Sequence, residues 1–140
     1  MKHLGLMHYF LEMEVWKIPE GIFLNKGKYA VEILKRFDML DFKSMATPMD
    51  TNLKLLSDET SELVGMTHYR HIIGLLMYLT NTRIDICFDV NTLSQYLVKP
   101  GQVHLIAAKH VMRYLKGTIE LGIYYGRDND YRLYGYTDLD

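Results

Sequence analysis

Lys109, Arg113 and Lys116 stand four and three residues apart. On a helix that spacing puts three cations on one face, a row able to track the phosphates of a nucleic acid. The same row also suits a plain solvated helix face, and a cation at Lys116, in the last turn, offsets the helix dipole. Arg70, beside Tyr69, is a further candidate for phosphate contact. Asp138 follows the aromatic strand pattern Tyr131–Tyr136 and precedes Asp140. A carboxylate at a strand end is how two-metal enzymes hold Mg²⁺, but one carboxylate does not make an octahedral site, and a turn residue near the chain end explains Asp138 equally. Asp85 and Asp89, four apart, are expected in the first turns of a helix, where negative charge is favoured, rather than on a metal. Thr82 just before them reads as an N-cap. His68 and His71 share a helix face but lack the further ligands that complete a zinc set. Gly21 to Lys28 resembles a phosphate loop, yet its glycines are one residue too far apart and Tyr29 stands where Ser or Thr is needed. No Gly-x-Ser-x-Gly element occurs, so a hydrolase elbow is unsupported.

Composition narrows the setting. The chain has 140 residues, 49% hydrophobic and 24% charged, which suits one domain or a piece of a larger protein and excludes disorder as the main state. Sixteen Lys and Arg against seventeen Asp and Glu give a net charge of −1, so nucleic-acid binding must come from a local patch. The single cysteine, Cys87, lies in an apolar stretch and is expected to be a buried, inert thiol. It excludes an internal disulfide and fits a reducing, intracellular compartment. No apolar run approaches the ~20 residues of a membrane span, and Met1 to Leu11 shows no signal-peptide pattern.

The periodicities give the frame. Residues 8–16 alternate apolar and polar, predicting a strand; Pro19-Glu20-Gly21 predicts a turn and Ile22-Phe23-Leu24 a return strand. Ala30, Ile33, Leu34 and Phe37 define a helix over 28–39. Residues 41–65 form a polar connector. Three more helical stripes follow: Tyr69, Ile72, Ile73, Leu76 and Leu79; then Ile86, Val90, Leu93 and Leu97; then Val103, Ala107, Val111 and Tyr114, with Gly117 as a stop. Strands are predicted at 121–125 and 132–136, with a turn at 127–130. The expected class is an α+β fragment: β-hairpin, helix, loop, three helices, β-hairpin. A lone hairpin is marginal in water, so each hairpin is expected to be the edge of a sheet completed outside the chain.

An ordered set of segments then carries a resemblance. They are Met1-Lys2-His3-Leu4-Gly5, His8-Tyr9-Phe10-Leu11-Glu12-Met13-Glu14-Val15, Gly21-Ile22-Phe23-Leu24, Lys28-Tyr29 and Ala46-Thr47-Pro48-Met49 in the first half. Tyr69-Arg70, Ile73-Gly74, the run Met77 to Ile86, Leu93-Ser94-Gln95-Tyr96, His104, Ala107-Ala108-Lys109, Arg113 to Thr118 and Gly135-Tyr136-Thr137-Asp138 continue it. In this order they resemble the C-terminal part of the reverse transcriptase region of a copia-type LTR retrotransposon Pol polyprotein, up to the start of its ribonuclease H domain.

The resemblance implies that residues 1–40 end a polymerase palm, with the hairpin at 8–24, including Phe10 and Leu11, gripping a primer terminus. It implies a connector at 41–65, thumb and connection helices at 66–118 and the first strands of a truncated ribonuclease H domain at 119–140. Lys109, Arg113, Lys116 and Arg70 become contacts to an RNA–DNA template–primer, and Asp138 matches the first metal-binding aspartate of ribonuclease H. The family's polymerase site is a Tyr-x-Asp-Asp hairpin, and this sequence contains no Asp-Asp pair. The expectation is therefore no catalysis, no cofactor and no small-molecule substrate for this chain alone. Mg²⁺, the template–primer and the remainder of Pol are cofactor and partners of the parent, and no membrane is involved. The family has Gly where Glu12 stands and Pro where Ile84 stands. The alternatives are a non-catalytic helical interaction module retained by a host, and a fragment without function.

Overall fold

A computed structural model describes residues 7–10, 13–50, 65–126 and 131–135. Five strands and four α-helices run in the order β1 (Met7–Phe10), β2 (Met13–Ile18), β3 (Gly21–Asn25), α1 (Gly27–Arg36), α2 (Met66–Leu79), α3 (Cys87–Leu93), α4 (Gln102–Lys116), β4 (Leu121–Gly126) and β5 (Tyr131–Gly135). Short 3-10 turns, Ile84–Ile86 and Ser94–Tyr96, flank α3.

The alternation over 8–16 belongs to two strands, not one. β1 and β2 pair antiparallel with Phe10 opposite Met13 and Tyr9 opposite Glu14. The chain therefore reverses direction inside the alternating stretch. A period of two cannot reveal a reversal that resumes the same alternation.

The larger correction concerns the two hairpins. They are not edges of separate sheets: β3 pairs antiparallel with β4, giving one sheet in the order β1-β2-β3-β4-β5. Ile22 faces Tyr125, Phe23 faces Tyr124 and Leu24 faces Ile123. Backbones approach closely at two glycines. A Cβ on Gly21 would meet the carbonyl of Tyr125, and one on Gly122 the carbonyl of Leu24. Only glycine fits there. Nothing in local periodicity announces a pairing made across about a hundred residues.

The helical stripes form as their spacing predicts. Tyr69, Ile72, Ile73, Leu76 and Leu79 of α2 are all buried, as are Ile86, Val90 and Leu93, and Ala107, Val111 and Leu115 of α4. They meet Ala30, Ile33 and Leu34 of α1 in one core. Burying an apolar side chain of this size contributes about 1.5–3 kcal/mol, so this shared core is the main cohesive term. Among the described residues no helix is long and apolar enough to cross a membrane.

Two smaller expectations change, and a third gains a polar contact. Cys87 is half-buried on the first turn of α3, with Asn91 Nδ2 3.6 Å from its sulfur, because the helix turns it away from the core row of Val90 and Leu93. Thr82 caps nothing. Arg83 is the residue preceding the 3-10 turn, no side-chain cap bond forms, and the buried Thr82 Oγ1 makes no hydrogen bond among the described residues. Tyr114 packs half-buried against the core, as its place in the stripe predicts, and its hydroxyl also reaches a carboxylate, as described below.

Candidate functional site

The last turns of α4 carry the cationic row. Lys109 is exposed. Arg113 Nε donates to the carbonyl of Lys43 at 2.7 Å, and Lys116 Nζ donates to that of Phe42 at 2.5 Å. The Met45 amide donates to the Arg113 carbonyl at 3.3 Å, and His110 Nε2 lies 3.0 Å from the Thr47 carbonyl. Two of the three cations therefore hold the connector at 42–47 against α4. Only Lys109 projects without a protein partner among the described residues. The other binding candidates lie apart. Arg70 is exposed on α2. Phe10 sits at the end of β1, opposite Met13. Leu11 and Asp138 lie outside the described residues.

Sequence reasoning missed a buried polar hub one turn from that row. Arg83 is 2% exposed. Its Nε and Nη2 fork onto the two oxygens of Asp85 at 3.0 and 2.8 Å. Its Nη1 donates to the Thr118 carbonyl at 2.9 Å, and Nη2 also reaches Thr118 Oγ1 at 2.7 Å. Tyr114 Oη donates to Asp85 Oδ2 at 2.6 Å, and Thr118 Oγ1 donates to the Tyr114 carbonyl at 2.9 Å. A planar guanidinium with several fixed donors is suited to such a junction, and lysine is not. The hub ties the α2–α3 junction to the end of α4 and to the turn that enters β4.

Its electrostatics follow. Burial alone pushes the Asp85 carboxyl up, but the hydrogen bonds from Arg83 and Tyr114 and the Arg83 charge together hold it below the ordinary carboxylate range. Burial, the hydrogen bond to Asp85 and the Asp85 charge push the Tyr114 phenol up to about 12. Asp89 is raised, by burial first and by the Asp85 charge next. Asp85 is thus already claimed by Arg83 and Tyr114, and no group of three or more His, Cys, Asp and Glu converges among the described residues. His68 and His71 set their rings edge-on to Phe37, with centroids 5.9 and 5.6 Å away.

A second polar junction joins sheet to helices. Asn25, on the same sheet face as Phe23, donates from Nδ2 to the Leu121 carbonyl at 2.9 Å and accepts the Gly27 amide at Oδ1. The buried Lys26 donates to the Tyr78 carbonyl at 2.7 Å and lies 3.5 Å from the centroid of the Tyr78 ring. Helix α2 has no basic residue in its last turn, so Lys26 supplies the cation its C-terminal carbonyls favour. His104, also buried, accepts the Gly101 amide at Nδ1 at 2.8 Å and stacks on Tyr96 at 4.0 Å. The available signal for these residues was a polar type at an inward-facing position.

Comparison with known proteins sets this α+β unit in a class: over nearly its whole length the chain is homologous to the copia-type Pol polyproteins of transposons. It is 42% identical over 134 residues, 96% of its own length, to the retrovirus-related Pol polyprotein from transposon RE2 of Arabidopsis thaliana. It is 35% identical, across all of its length, to that from transposon TNT 1-94 of Nicotiana tabacum. An uncharacterised mitochondrial protein of Arabidopsis thaliana is 39% identical across all of it. The chain spans 9% of the first of these polyproteins, 11% of the second and 58% of the mitochondrial protein. No protein-family model matches the chain, and no solved structure matches it significantly.

Proposed function

We propose that this chain is the template–primer-handling region of a retrotransposon RNA-directed DNA polymerase, without catalysis of its own. The observation that carries the reading is the similarity to Pol polyproteins along 96% of the chain. In this reading β1 to β3 and α1 end the palm, α2 to α4 are the thumb and connection helices, and β4 and β5 lead into ribonuclease H. Lys109, the one exposed member of the α4 row, is the foremost phosphate contact. Arg113 and Lys116 shape the surface beside it by holding the connector. Asp138 is the ribonuclease H aspartate, and Mg²⁺ belongs to the parent polyprotein.

Binding of an RNA–DNA hybrid, measured against salt, tests this. Each phosphate contact contributes about 0.9 to the slope of log affinity on log salt concentration. Lys109→Gln is expected to flatten the slope by about one, with the fold intact. An unchanged slope removes Lys109 from the interface, and absence of hybrid binding removes the reading. Primer extension with Mg²⁺ is expected to show no incorporation, and incorporation above background overturns the non-catalytic assignment.

One observation favours a second reading, a non-catalytic interaction module retained by a host. Both hairpins are completed within one sheet, and four helices share one core. A defined protein partner together with no hybrid binding is the outcome that selects it.

A further inference from the structure

A cleft of about 510 Å³ opens between the sheet and α1, with Ile119 and Glu120 of the turn after α4 in its lining. Trp16 and Phe23, directly opposed on β2 and β3, form its floor with Val31 of α1 and Ile119. Phe23 is buried, whereas Trp16, the single tryptophan of the chain, is half-buried and keeps part of its indole toward the cleft. Three carboxylates line the same space from three different elements: Glu14 of β2, Glu32 of α1 and Glu120 of the turn before β4. None of the three forms a side-chain hydrogen bond or ion pair among the described residues.

Two lysines, Lys28 and Lys35, also line the cleft, both from the exposed flank of α1. Three anions against two cations leave a net charge of −1 around an aromatic and aliphatic floor. A phosphate-bearing ligand would meet three carboxylates against two lysines, a net repulsion. A cation with an apolar stem meets the complement of each part: the indole face attracts the charge, the aliphatic side chains cover the stem, and carboxylates from several directions hold the head. We propose that this cleft binds a basic peptide segment, seating an arginine or lysine side chain on Trp16 between Glu14 and Glu120. The site uses none of the residues proposed to face nucleic acid on α4, and its charge has the opposite sign.

Because Trp16 is the sole indole, its fluorescence reports the cleft directly. The probe is a capped Arg-Leu-Arg-Leu peptide titrated into the full chain. Asp-Leu-Asp-Leu and a short oligothymidylate are run in parallel. A saturable change in Trp16 emission with the basic peptide alone is expected. Glu14→Gln combined with Glu120→Gln should weaken it by about fivefold, as loss of two part-exposed charge pairs does. Val31→Arg, which places a cation in the cleft from within, should abolish the response while circular dichroism and the melt stay unchanged. Glu20→Gln, on the turn outside the cleft, should leave affinity as it was. No saturable response, an equal response to the acidic peptide, or undiminished affinity in both cleft variants overturns the proposal. Tighter binding of the oligothymidylate overturns it as well and assigns the cleft to single-stranded nucleic acid.

Discussion

Arg83 shows how much one side chain can join. Its guanidinium reaches Asp85 and both oxygen acceptors of Thr118, at 3% side-chain exposure. Removing one partner of a buried pair leaves the other charged and desolvated, whereas replacing both with apolar groups does not. Arg83→Met is therefore expected to lower unfolding free energy by about 3 kcal/mol, and Arg83→Met with Asp85→Leu by clearly less, in urea titrations. A double variant as unstable as the sum of the singles would mean the two residues do not act as a pair. The same hub sets a pH signature. Asp85 is held below its ordinary range when folded, so its contribution is present above that range and lost as pH falls through it toward the folded value. Tyr114 is raised from an ordinary 10.0 to about 12, so its contribution is complete below about 10 and lost as pH rises toward 12. The urea midpoint should fall at both ends, and Tyr114→Phe should remove part of the alkaline fall. The sequence displayed these residues as motif letters and, at Asp85, as a helix-start charge. It did not display the hub, because Arg83 and Thr118 are brought together across 35 residues by core packing that no local pattern encodes.

At the scale of elements, the apolar stripes of α1, α2 and α4 were legible because a buried helix face repeats every three to four residues whatever lies opposite. What a polar face does is set by neighbours, and α4 illustrates the limit. Its three cations are equivalent by spacing, yet two of them anchor residues 42–47 and one projects. Hydrogen exchange at the Met45 amide, which donates to the Arg113 carbonyl, separates these roles. Arg113→Ala with Lys116→Ala should speed exchange there by about tenfold, given about 0.5–1.5 kcal/mol for each lost hydrogen bond. Lys109→Ala should leave it unchanged. If Lys109→Ala speeds exchange as much as the pair does, the division of labour along α4 is wrong. This experiment also bears on nucleic-acid binding: charge neutralisation at Arg113 or Lys116 moves the connector, so only Lys109 tests a phosphate contact in isolation.

At the scale of the whole molecule, the joint between β3 and β4 decides whether there is one cooperative unit or two. Without it the sheet would be a three-stranded meander and a separate two-stranded hairpin, the latter marginal in water. With it, Asn25 of β3 donates to Leu121 of β4 across the joint, and Lys26, just after β3, and Thr118, just before β4, tie the sheet to the helical core through Tyr78 and Arg83. Trp16 lies in β2 and the helices dominate far-ultraviolet circular dichroism, so two probes watch the two layers independently. In the native chain their thermal transitions should coincide, as cooperative two-state unfolding requires. Gly122→Val puts a branched side chain where even a Cβ meets the Leu24 carbonyl, beside the Leu24–Ile123 pair that ends the joint. It is expected to separate the transitions, with the Trp16 signal melting first and the helical signal persisting. Coincident transitions in that variant would show that the sheet is held by its helices alone. Two transitions already present in the native chain would show that the hairpins never became part of a single folding unit.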